Sequence, residues 1–552
     1  MFIILGVVVK PSVNVMYKVQ PLVLSANIFL LVVFFLFSYS HIKKQLEIVP
    51  KWAKLALIVT LLIGLSLRLV VTPWLHKIYY DEDIYINIAH NIANQGQACL
   101  CDYGSPSFCK VCIDNKQPMG MATFYAILIK LFGWAGYGSE ASIFATSIIL
   151  SSIAILLIFV IAYQLTKNPY IGLFAALFLA LTPTHIRWSA STSLDSFYLT
   201  FLLLACVAWL IDVKDFNSTM FAFFATAFAV QIRPEGLITI LILGFLVLAT
   251  HKKPFELLTR KEFLLGLLLM LLLVLPTVWH LKLNKEETWG APQGKKISLS
   301  YFPGNAKDNI LFFFDATRFP IVVTAFAVLG FFYGLAKFTK QSLALMAWFL
   351  VFFMVWAVFY AGSFNYGMDI RFMLTLLAPV LIFAATGCCI VMDLVRYVVV
   401  RFNKRSKLKL NIPLFTLIAA GICLWLIIDY YDYISNFGEK ASDAMTVHEF
   451  ARAFVQNTSS NCIFLSQVSS MFLNFNRPSI QMHQFIWGSY DKEVLNNYDC
   501  IYLYWGYWCA SHEPHRIEQC APLLNKFSWN KVASLQFDQR REFAFYKLKK
   551  QQ

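Results

Sequence analysis

The chain has 552 residues, of which 59% are hydrophobic and only 14% are charged, and its formal net charge is +15. Soluble domains are roughly 45–50% apolar and about 25% charged, so this composition excludes a disordered chain and argues against a soluble multidomain enzyme. A nucleic-acid-binding protein concentrates positive charge on a soluble face, whereas here Lys and Arg form short runs between long apolar stretches, as in a protein that crosses a membrane many times.

Long apolar segments follow one another along most of the chain. A helix needs about 20 apolar residues to cross the hydrocarbon core of a bilayer. Candidate spans lie near 21–39, 52–72, 140–166, 170–182, 193–211, 219–232, 236–250, 262–280, 317–336, 341–361, 371–396 and 411–430. This series predicts a polytopic α-helical membrane protein with about 11–13 transmembrane helices.

Two segments do not fit the series. Residues 119–133 are apolar but short, which predicts an interfacial or re-entrant helix. Residues 1–20 contain no convincing cleavage site, so the helix at 21–39 is expected to be retained, with Met1 or Met16 as the start.

Lys and Arg residues in the short loops predict the orientation in the membrane. The basic loops are 41–54, 251–262, 337–340 and 396–410. If residues 119–133 do not cross, all of these loops lie on one side, which is then the cytoplasmic side. The other side receives loops 73–118, 183–192 and 281–316 and everything after residue 430.

The chain changes in character after residue 430. Short β-like runs occur there at 463–465, 501–504 and 543–546. Helix-like stretches lie before and between them, at 443–455 and 512–526. This pattern predicts a small extracytoplasmic α/β domain. Three parts are therefore expected. Residues 1–51 form an N-terminal segment with an extra helix, residues 52–430 form a transmembrane domain that includes the first outer loop 73–118, and residues 431–552 form the α/β domain.

Eight of the twelve cysteines lie in the predicted outer regions: Cys99, Cys101, Cys109, Cys112, Cys462, Cys500, Cys509 and Cys520. Even numbers in each region favour disulfides in an oxidising compartment. Zinc is the alternative for the first four, because C-x-C and C-x2-C resemble thiolate ligand spacing. Cys509 and Cys520 can close a loop, and Cys462 and Cys500 each open a β run, so they are either paired across neighbouring strands or buried as free thiols.

The first outer loop carries three adjacent carboxylates, Asp81, Glu82 and Asp83, close to a predicted span. Membrane anchoring favours Trp, Tyr, Lys and Arg instead. A carboxylate at this depth suits a general base that takes a proton from a hydroxyl. The following residues have helical spacing, so simple helix capping is the alternative interpretation.

Further ionisable residues lie in other predicted outer turns. They are Lys116, Arg187, Asp195, Arg233, Glu235 and Arg371. Ionisable residues at membrane depth are functional candidates, and guanidinium groups suit a phosphate. Their alternatives are snorkelling for Arg187, capping of the next helix for Asp195 and mutual pairing for Arg233 and Glu235. An acidic centre with cations on one membrane face suits a lipid that carries a phosphate.

Several short motifs occur in a recognisable order. They are Asp81-Glu82 with Tyr85, the A-x-x-I-x-x-x-G pattern from Ala89 to Gly96, Pro118 with its apolar helix, the stretch from Thr182 to Asp195, the R-P-E-G turn at Arg233, and Arg371 before a helix that contains Pro379. In these features the chain resembles the GT-C superfamily of membrane glycosyltransferases. It is most similar to the branch that contains protein O-mannosyltransferases and lipid A aminoarabinose transferases.

The resemblance implies an inverting transfer of a sugar from a polyprenyl-phosphate-linked donor to a hydroxyl acceptor on the extracytoplasmic face. It implies that Asp81 is the base, with Glu82 beside it. Arg187, Arg233 and Arg371 would hold the lipid phosphate, while Asp195 would support the acceptor or sugar pocket. Tyr85, Lys116 and Glu235 are further substrate-binding candidates, chosen for their position and chemistry. Family members differ in their use of a divalent cation, and the sequence contains no clear ligand set for one.

Two features depart from the family pattern. Gln117 precedes Pro118 where members often have two prolines, and a cysteine-rich insertion separates Gly96 from Pro118. Both concern the acceptor side, so protein, lipid and glycan acceptors all stay open. The alternative function is a secondary transporter, but a transporter predicts repeated halves with binding near the midplane, and no repeat is evident in this sequence.

Overall fold

The computed structural model describes residues 12–74, 76, 81–114, 118–211, 213, 215–285, 291–365, 367–405, 414–435, 439–488, 490–506, 509–510, 514–538 and 541–549. For residues 367–369, 399–400, 402–405, 414–420, 422–424, 427, 439–444 and 514–519 it describes the backbone only. The described residues group into two compact units. The helical unit contains residues 26–74 and 144–435, and the sheet unit contains residues 12–25, 76–143 and 439–549.

Long apolar helices build the helical unit. In chain order they are α1 Val13–Glu47, α2 Lys51–Val70, α5 Glu140–Thr166, α6 Pro169–Leu181, α7 Pro183–Ser189, α8 Leu194–Leu210, α9 Phe216–Val230, α10 Ile238–Thr250, α11 Lys261–Leu283, α12 Phe302–Phe312, α13 Ile321–Lys337, α14 Thr339–Val358, α15 Leu377–Arg405 and α16 Leu414–Ser435. Helices α1 and α5 each begin in the sheet unit. Short 3₁₀ helices also occur, including Pro234–Leu237 and Gly367–Leu376. Within the described residues, each apolar segment predicted as a span overlaps one of these helices.

The described helices include six that are long and apolar enough to cross a membrane, or seven if the bent pair α6 and α7 forms one span. Five shorter apolar helices accompany them, among them Gly120–Ala135. The chain is therefore a polytopic α-helical membrane protein, as predicted. The bend between α6 and α7 is 59°, and it arises because Thr182 is extended before Pro183, whose ring disfavours a helical residue in front of it.

A mixed sheet organises the other unit. Its strands are β1 Leu100–Ser105, β2 Phe108–Ile113, β3 Cys462–Ser466, β4 Ser479–Gln481, β5 Cys500–Trp505, β6 Trp529–Gln536 and β7 Glu542–Leu548, in the spatial order β2-β1-β4-β3-β5-β7-β6. Strand β3 runs parallel to β4 and β5, and the other neighbours are antiparallel. The predicted β runs are β3, β5 and β7, so the predicted α/β domain is present.

Helices accompany this sheet. They are α3 Asp81–Gln95, α4 Gly120–Phe132, which packs on α3, α17 Glu439–Gln456, α18 Ser469–Asn474, α19 Met482–Ile486, α20 Asp491–Asn497 and α21 Pro514–Lys526. Apolar side chains on both faces of the sheet, such as Leu465 and Phe464, are fully buried. The expected division placed loop 73–118 with the transmembrane domain, but β1 hydrogen-bonds to β4, so this loop shares a sheet with the C-terminal segment.

Four disulfides hold the sheet unit together: Cys99–Cys112, Cys101–Cys109, Cys462–Cys500 and Cys509–Cys520. The disulfide prediction is therefore confirmed, and Cys462 and Cys500 are paired with each other rather than buried as free thiols. The first two bridges join β1, or the residue just before it, to β2. Cys462 and Cys500 are register partners on β3 and β5.

Candidate active site

Asp195 lies in the first turn of α8 in the helical unit, and its carboxylate is 2% exposed. The helix is capped by Ser193, whose hydroxyl oxygen accepts a hydrogen bond from the Asp195 backbone N–H at 3.3 Å. The Ser193 hydroxyl also donates to Asp195 Oδ2 at 3.1 Å. Capping is therefore performed by Ser193, and the interpretation of Asp195 as a plain cap is wrong.

Two arginines meet at Asp195. Arg233 Nη1 donates to Asp195 Oδ1, and Arg371 Nε lies 3.3 Å from Asp195 Oδ2. Arg233 also pairs through Nε with Glu235 Oε1. The structure thus brings together four of the residues selected from the sequence, which come from α8 and two separate 3₁₀ helices or their flanks.

Aromatic rings fix the guanidinium groups. The Arg233 guanidinium carbon lies 5.6 Å from the Trp356 ring centroid and 5.5 Å from that of Phe372, and Arg371 lies 5.4 Å from the Phe372 ring. Two guanidinium groups and two carboxylates give this cluster no net charge. The cluster could bind a phosphate through its arginine N–H groups, because a guanidinium held in a fixed orientation can bind a phosphate in bidentate fashion.

Arg187 occupies a different environment in the same unit. It lies on α7, and its guanidinium carbon is 5.1 Å from the ring centroid of Tyr433 on α16. Its buried Nε has no hydrogen-bond partner among the residues that the structure describes. Arg187 is half-buried, and the aromatic contact holds its charge at the end of the bent helix pair.

The carboxylates of the first outer loop lie in the sheet unit, in the first turn of α3. Asp81 is partly exposed, whereas Glu82 and Asp83 are buried. Tyr85 follows one turn after Asp81 on the same side of α3 and is buried as well. Lys116 lies outside the described residues. Of the three carboxylates, Asp81 is therefore the one that solvent reaches.

Histidines accompany the two buried carboxylates. Glu82 Oε2 lies 3.7 Å from His76 Nδ1, and Asp83 Oδ2 lies 3.5 Å from His448 Nε2 on α17. Asn474 donates to Asp83 Oδ1 at 2.9 Å. Burial alone would raise the pKa of Asp83, but the neighbouring His76 and His448 and the Asn474 amide outweigh it and hold that pKa well below its usual range.

Glu140 and Arg452 extend this group of side chains. Glu140 Oε1 contacts His76 Nε2, and Glu140 Oε2 accepts from Arg452 Nη2. Burial would lower the pKa of His76, but the carboxylates of Asp83, Glu140 and Glu82 outweigh it and raise that pKa above its usual value. Ligand atoms of His76, Glu140 and His448 lie close enough together to hold a metal ion.

Sequence reasoning did not select His76, Glu140, His448 or Arg452. They stand singly in the sequence, far apart, without a spacing pattern of metal ligands. The available signal was weak: two histidines and an acid placed in or next to the predicted outer regions. By contrast, the carboxylates and arginines of the helical unit stood at the ends of apolar segments, where a charged residue is conspicuous.

Comparisons with known proteins agree with the membrane architecture. Residues 116–280 match the family described as dolichyl-phosphate-mannose-protein mannosyltransferase. The structure is similar to that of ArnT from Cupriavidus metallidurans bound to undecaprenyl phosphate, with 13% identity, coverage of 89% of this chain and 97% of that chain, and a TM-score of 0.55.

A second similar structure is the oligosaccharyltransferase AglB from Archaeoglobus fulgidus, in complex with an inhibitory peptide and a dolichol-phosphate. The identity is 12%, the coverage is 90% of this chain and 74% of that chain, and the TM-score is 0.54. The chain matches no curated protein sequence. At these identities the structural likeness shows the fold.

Proposed function

We propose that this chain, which has the fold of the GT-C membrane glycosyltransferases, transfers a sugar from a polyprenyl-phosphate-linked donor to a hydroxyl acceptor. The observation that carries the proposal is the first turn of α3, where Asp81 is partly exposed while Glu82 and Asp83 are buried beside histidines. Such a turn presents one carboxylate as a general base and fixes it through the other two.

In the proposed reaction, the acceptor oxygen attacks the anomeric carbon of the donor. The bond from that carbon to the phosphate oxygen breaks with inversion, and the lipid phosphate leaves with the bonding electrons. Asp81 takes the proton of the acceptor hydroxyl. Glu82 supports the orientation of the α3 turn rather than acting as a second base.

The leaving phosphate gains negative charge as the bond breaks. Oriented guanidinium groups stabilise such charge most when the protein holds them in place beforehand. We assign this role to Arg187, Arg233 and Arg371, with Lys116 as a further cation, and we assign to Asp195 and Glu235 the positioning of the two arginines that they contact. Two of the similar structures contain dolichol-phosphate or undecaprenyl phosphate, which supports a lipid phosphate as the ligand here.

We place the reaction on the extracytoplasmic face. Four disulfides in the sheet unit support this side, because disulfides persist in oxidising compartments. The distribution of Lys and Arg among the predicted loops supports the same orientation.

Asp81→Asn tests the proposal. The amide is almost isosteric but cannot accept the proton, so kcat should fall by about 10²- to 10⁴-fold with little change in KM for the donor. The assay is the release of lipid phosphate from dolichyl- and undecaprenyl-phosphate-linked mannose, glucose and aminoarabinose by the full chain in lipid nanodiscs.

Asp499→Asn, at an exposed carboxylate of the same unit, is the matched control and should keep full turnover. Full turnover of Asp81→Asn would refute the role of Asp81. If no donor releases lipid phosphate and Asp81→Asn instead abolishes solute uptake into vesicles, the transporter alternative replaces the proposal.

A further inference from the structure

Three side chains of the sheet unit form a set of metal-ligand type. One ligand atom from each of His76, Glu140 and His448 lies within 4.8 Å of the others. The side chains of His76 and His448 are 5% and 6% exposed, and that of Glu140 is 25% exposed. They come from the segment before α3, the first residue of α5 and the middle of α17. No local turn requires these residues to meet, so tertiary structure has brought them together.

Each histidine has a carboxylate beside it. His76 directs Nε2 at Glu140 and has Glu82 Oε2 at 3.7 Å from Nδ1, while Asp83 Oδ2 lies 3.5 Å from His448 Nε2. Asp83 is itself held by Asn474. A carboxylate next to a ligating imidazole fixes its tautomer and ring orientation, and this arrangement typically accompanies histidine ligands of metals.

The charges of these described groups call for a cation. Glu82, Asp83 and Glu140 carry three negative charges, and Arg452 supplies one positive charge through its contact with Glu140 Oε2. With neutral imidazoles the group has a net charge of −2 in a largely buried environment, which is unfavourable without compensation. Two protons or one divalent cation would neutralise it.

The two imidazole rings also lie close enough for one ion to contact both. The ring centroids of His76 and His448 are 4.3 Å apart. A metal ion uses a lone pair of each neutral ring and places its own charge between the rings and the carboxylate.

We propose that His76, His448 and Glu140 bind a Zn²⁺-class divalent cation. Two imidazole nitrogens and one carboxylate oxygen form a donor set that suits zinc. Glu140 binds the ion through Oε1 and keeps Oε2 on Arg452. The ion connects three distant chain segments, and through Glu82 and Asp83 it holds the first turn of α3. Its role is structural, and its presence does not depend on which reaction the chain catalyses.

The test is metal content. The full chain is purified in detergent, stripped with a chelator, incubated with equimolar zinc sulfate and desalted, and its metal is counted by mass spectrometry. One Zn²⁺ per chain is expected. With Co²⁺ in its place, visible absorption of a four-coordinate nitrogen and oxygen site should appear.

His448→Gln and His76→Gln remove one ligand each while keeping a polar side chain of similar length. Both should lose the bound zinc and the cobalt spectrum. His483→Gln, at a half-exposed histidine of the same unit, is the matched control and should keep both. The melting temperature Tm of the unaltered chain should rise on adding zinc, whereas that of His448→Gln should not.

Absence of zinc in the unaltered chain, or full zinc content in His448→Gln, would overturn the proposal. The first reading holds even if a variant is poorly folded, because it uses the unaltered chain alone. A Tm that depends on pH but not on zinc would assign the two charges to protons. Metal content is measured without a sugar donor, so its outcome is independent of transferase activity.

Discussion

Asp102 on β1 is a buried carboxyl group with little compensation. Its side chain is 1% exposed, and Oδ2 accepts a hydrogen bond from Gln484 at 3.2 Å. His483 Nε2 lies 3.3 Å away, but burial lowers the pKa of His483 and so weakens it as a cationic partner. Oδ1 has no hydrogen-bond partner within the described part of the chain. Burial accordingly raises the pKa of Asp102 to about 6.

Asp102→Asn should make the stability of the protein less dependent on pH. Because the pKa is higher in the folded state than the ordinary value of 3.8, protonation of Asp102 stabilises the fold, and this contribution is full below pH 4 and lost as the pH rises through 6. The variant should therefore exceed the unaltered chain in free energy of unfolding by up to about 3 kcal/mol at pH 7.5, and the difference should vanish near pH 4.

Denaturant unfolding of both proteins at pH 4, 5, 6 and 7.5 measures this difference. Asp499→Asn, at an exposed carboxylate, serves as the control and should shift stability little at any of these pH values. A difference between Asp102→Asn and the unaltered chain that stays constant from pH 4 to 7.5 would contradict the assignment to Asp102.

Helices α13 and α15 approach each other through glycines. A Cβ atom on Gly330 would overlap the carbonyl oxygen of Phe383, and one on Gly387 would overlap the carbonyl oxygen of Phe326. Gly330 and Gly334 form a G-x-x-x-G pair on α13, the spacing with which membrane helices bring their backbones into contact. The close packing of this pair therefore depends on the absence of side chains.

Gly330→Ala should force α13 and α15 apart and lower stability by about 1–3 kcal/mol, the typical cost of an added group in a packed interior. Gly244→Ala on α10 is the matched control, since a Cβ there has no atom within 4 Å, and alanine favours a helix over glycine by up to about 1 kcal/mol. Thermal unfolding in detergent measures both. Equal Tm values for Gly330→Ala and the unaltered chain would contradict the close contact.

At the level of elements, sequence reasoning succeeded where one residue type dominates the physics. Runs of apolar residues predicted membrane spans, and the structure has helices in these segments. Charged residues at the ends of such runs drew attention to Asp195, Arg233, Glu235 and Arg371, which the structure brings together. The cysteine count predicted the disulfides because thiols in an oxidising compartment have few alternatives.

Sequence reasoning failed where a contact depends on tertiary structure. The β1 and β2 hairpin was not predicted, because its alternation is hidden by four cysteines and its partner β4 has only three residues. The meeting of His76, Glu140 and His448 depends on the packing of α3, α5 and α17, which no periodicity reports. Roles for Asp81 and the arginines stay predictions until their variants are measured.

At the scale of the whole molecule, the predicted orientation places the two glycosylation sequons of the chain on opposite sides of the membrane. Asn457-Thr458-Ser459 follows α17 and is exposed at Asn457, and Asn217-Ser218-Thr219 lies in the first turn of α9. The distribution of basic loops predicts that the first sequon faces the lumen of a eukaryotic secretory membrane and the second faces the cytosol.

Expression in microsomes should therefore add one glycan, at Asn457, and Asn457→Gln should remove it. Asn217→Gln, the matched control, should leave the glycosylated mass unchanged. Endoglycosidase digestion and gel mobility measure the result. A glycan at Asn217 would reverse the predicted orientation.

The sheet has a consequence for biosynthesis. Tyr103 on β1 pairs with Ile480 on β4, so β1 emerges from the ribosome nearly 400 residues before its partner. At a synthesis rate of about 5–20 residues per second the wait is of the order of 20 to 80 seconds, during which many hydrophobic helices must insert. The Cys99–Cys112 and Cys101–Cys109 bridges join residues close in sequence, so they can close the hairpin early and protect its open edge until translation ends.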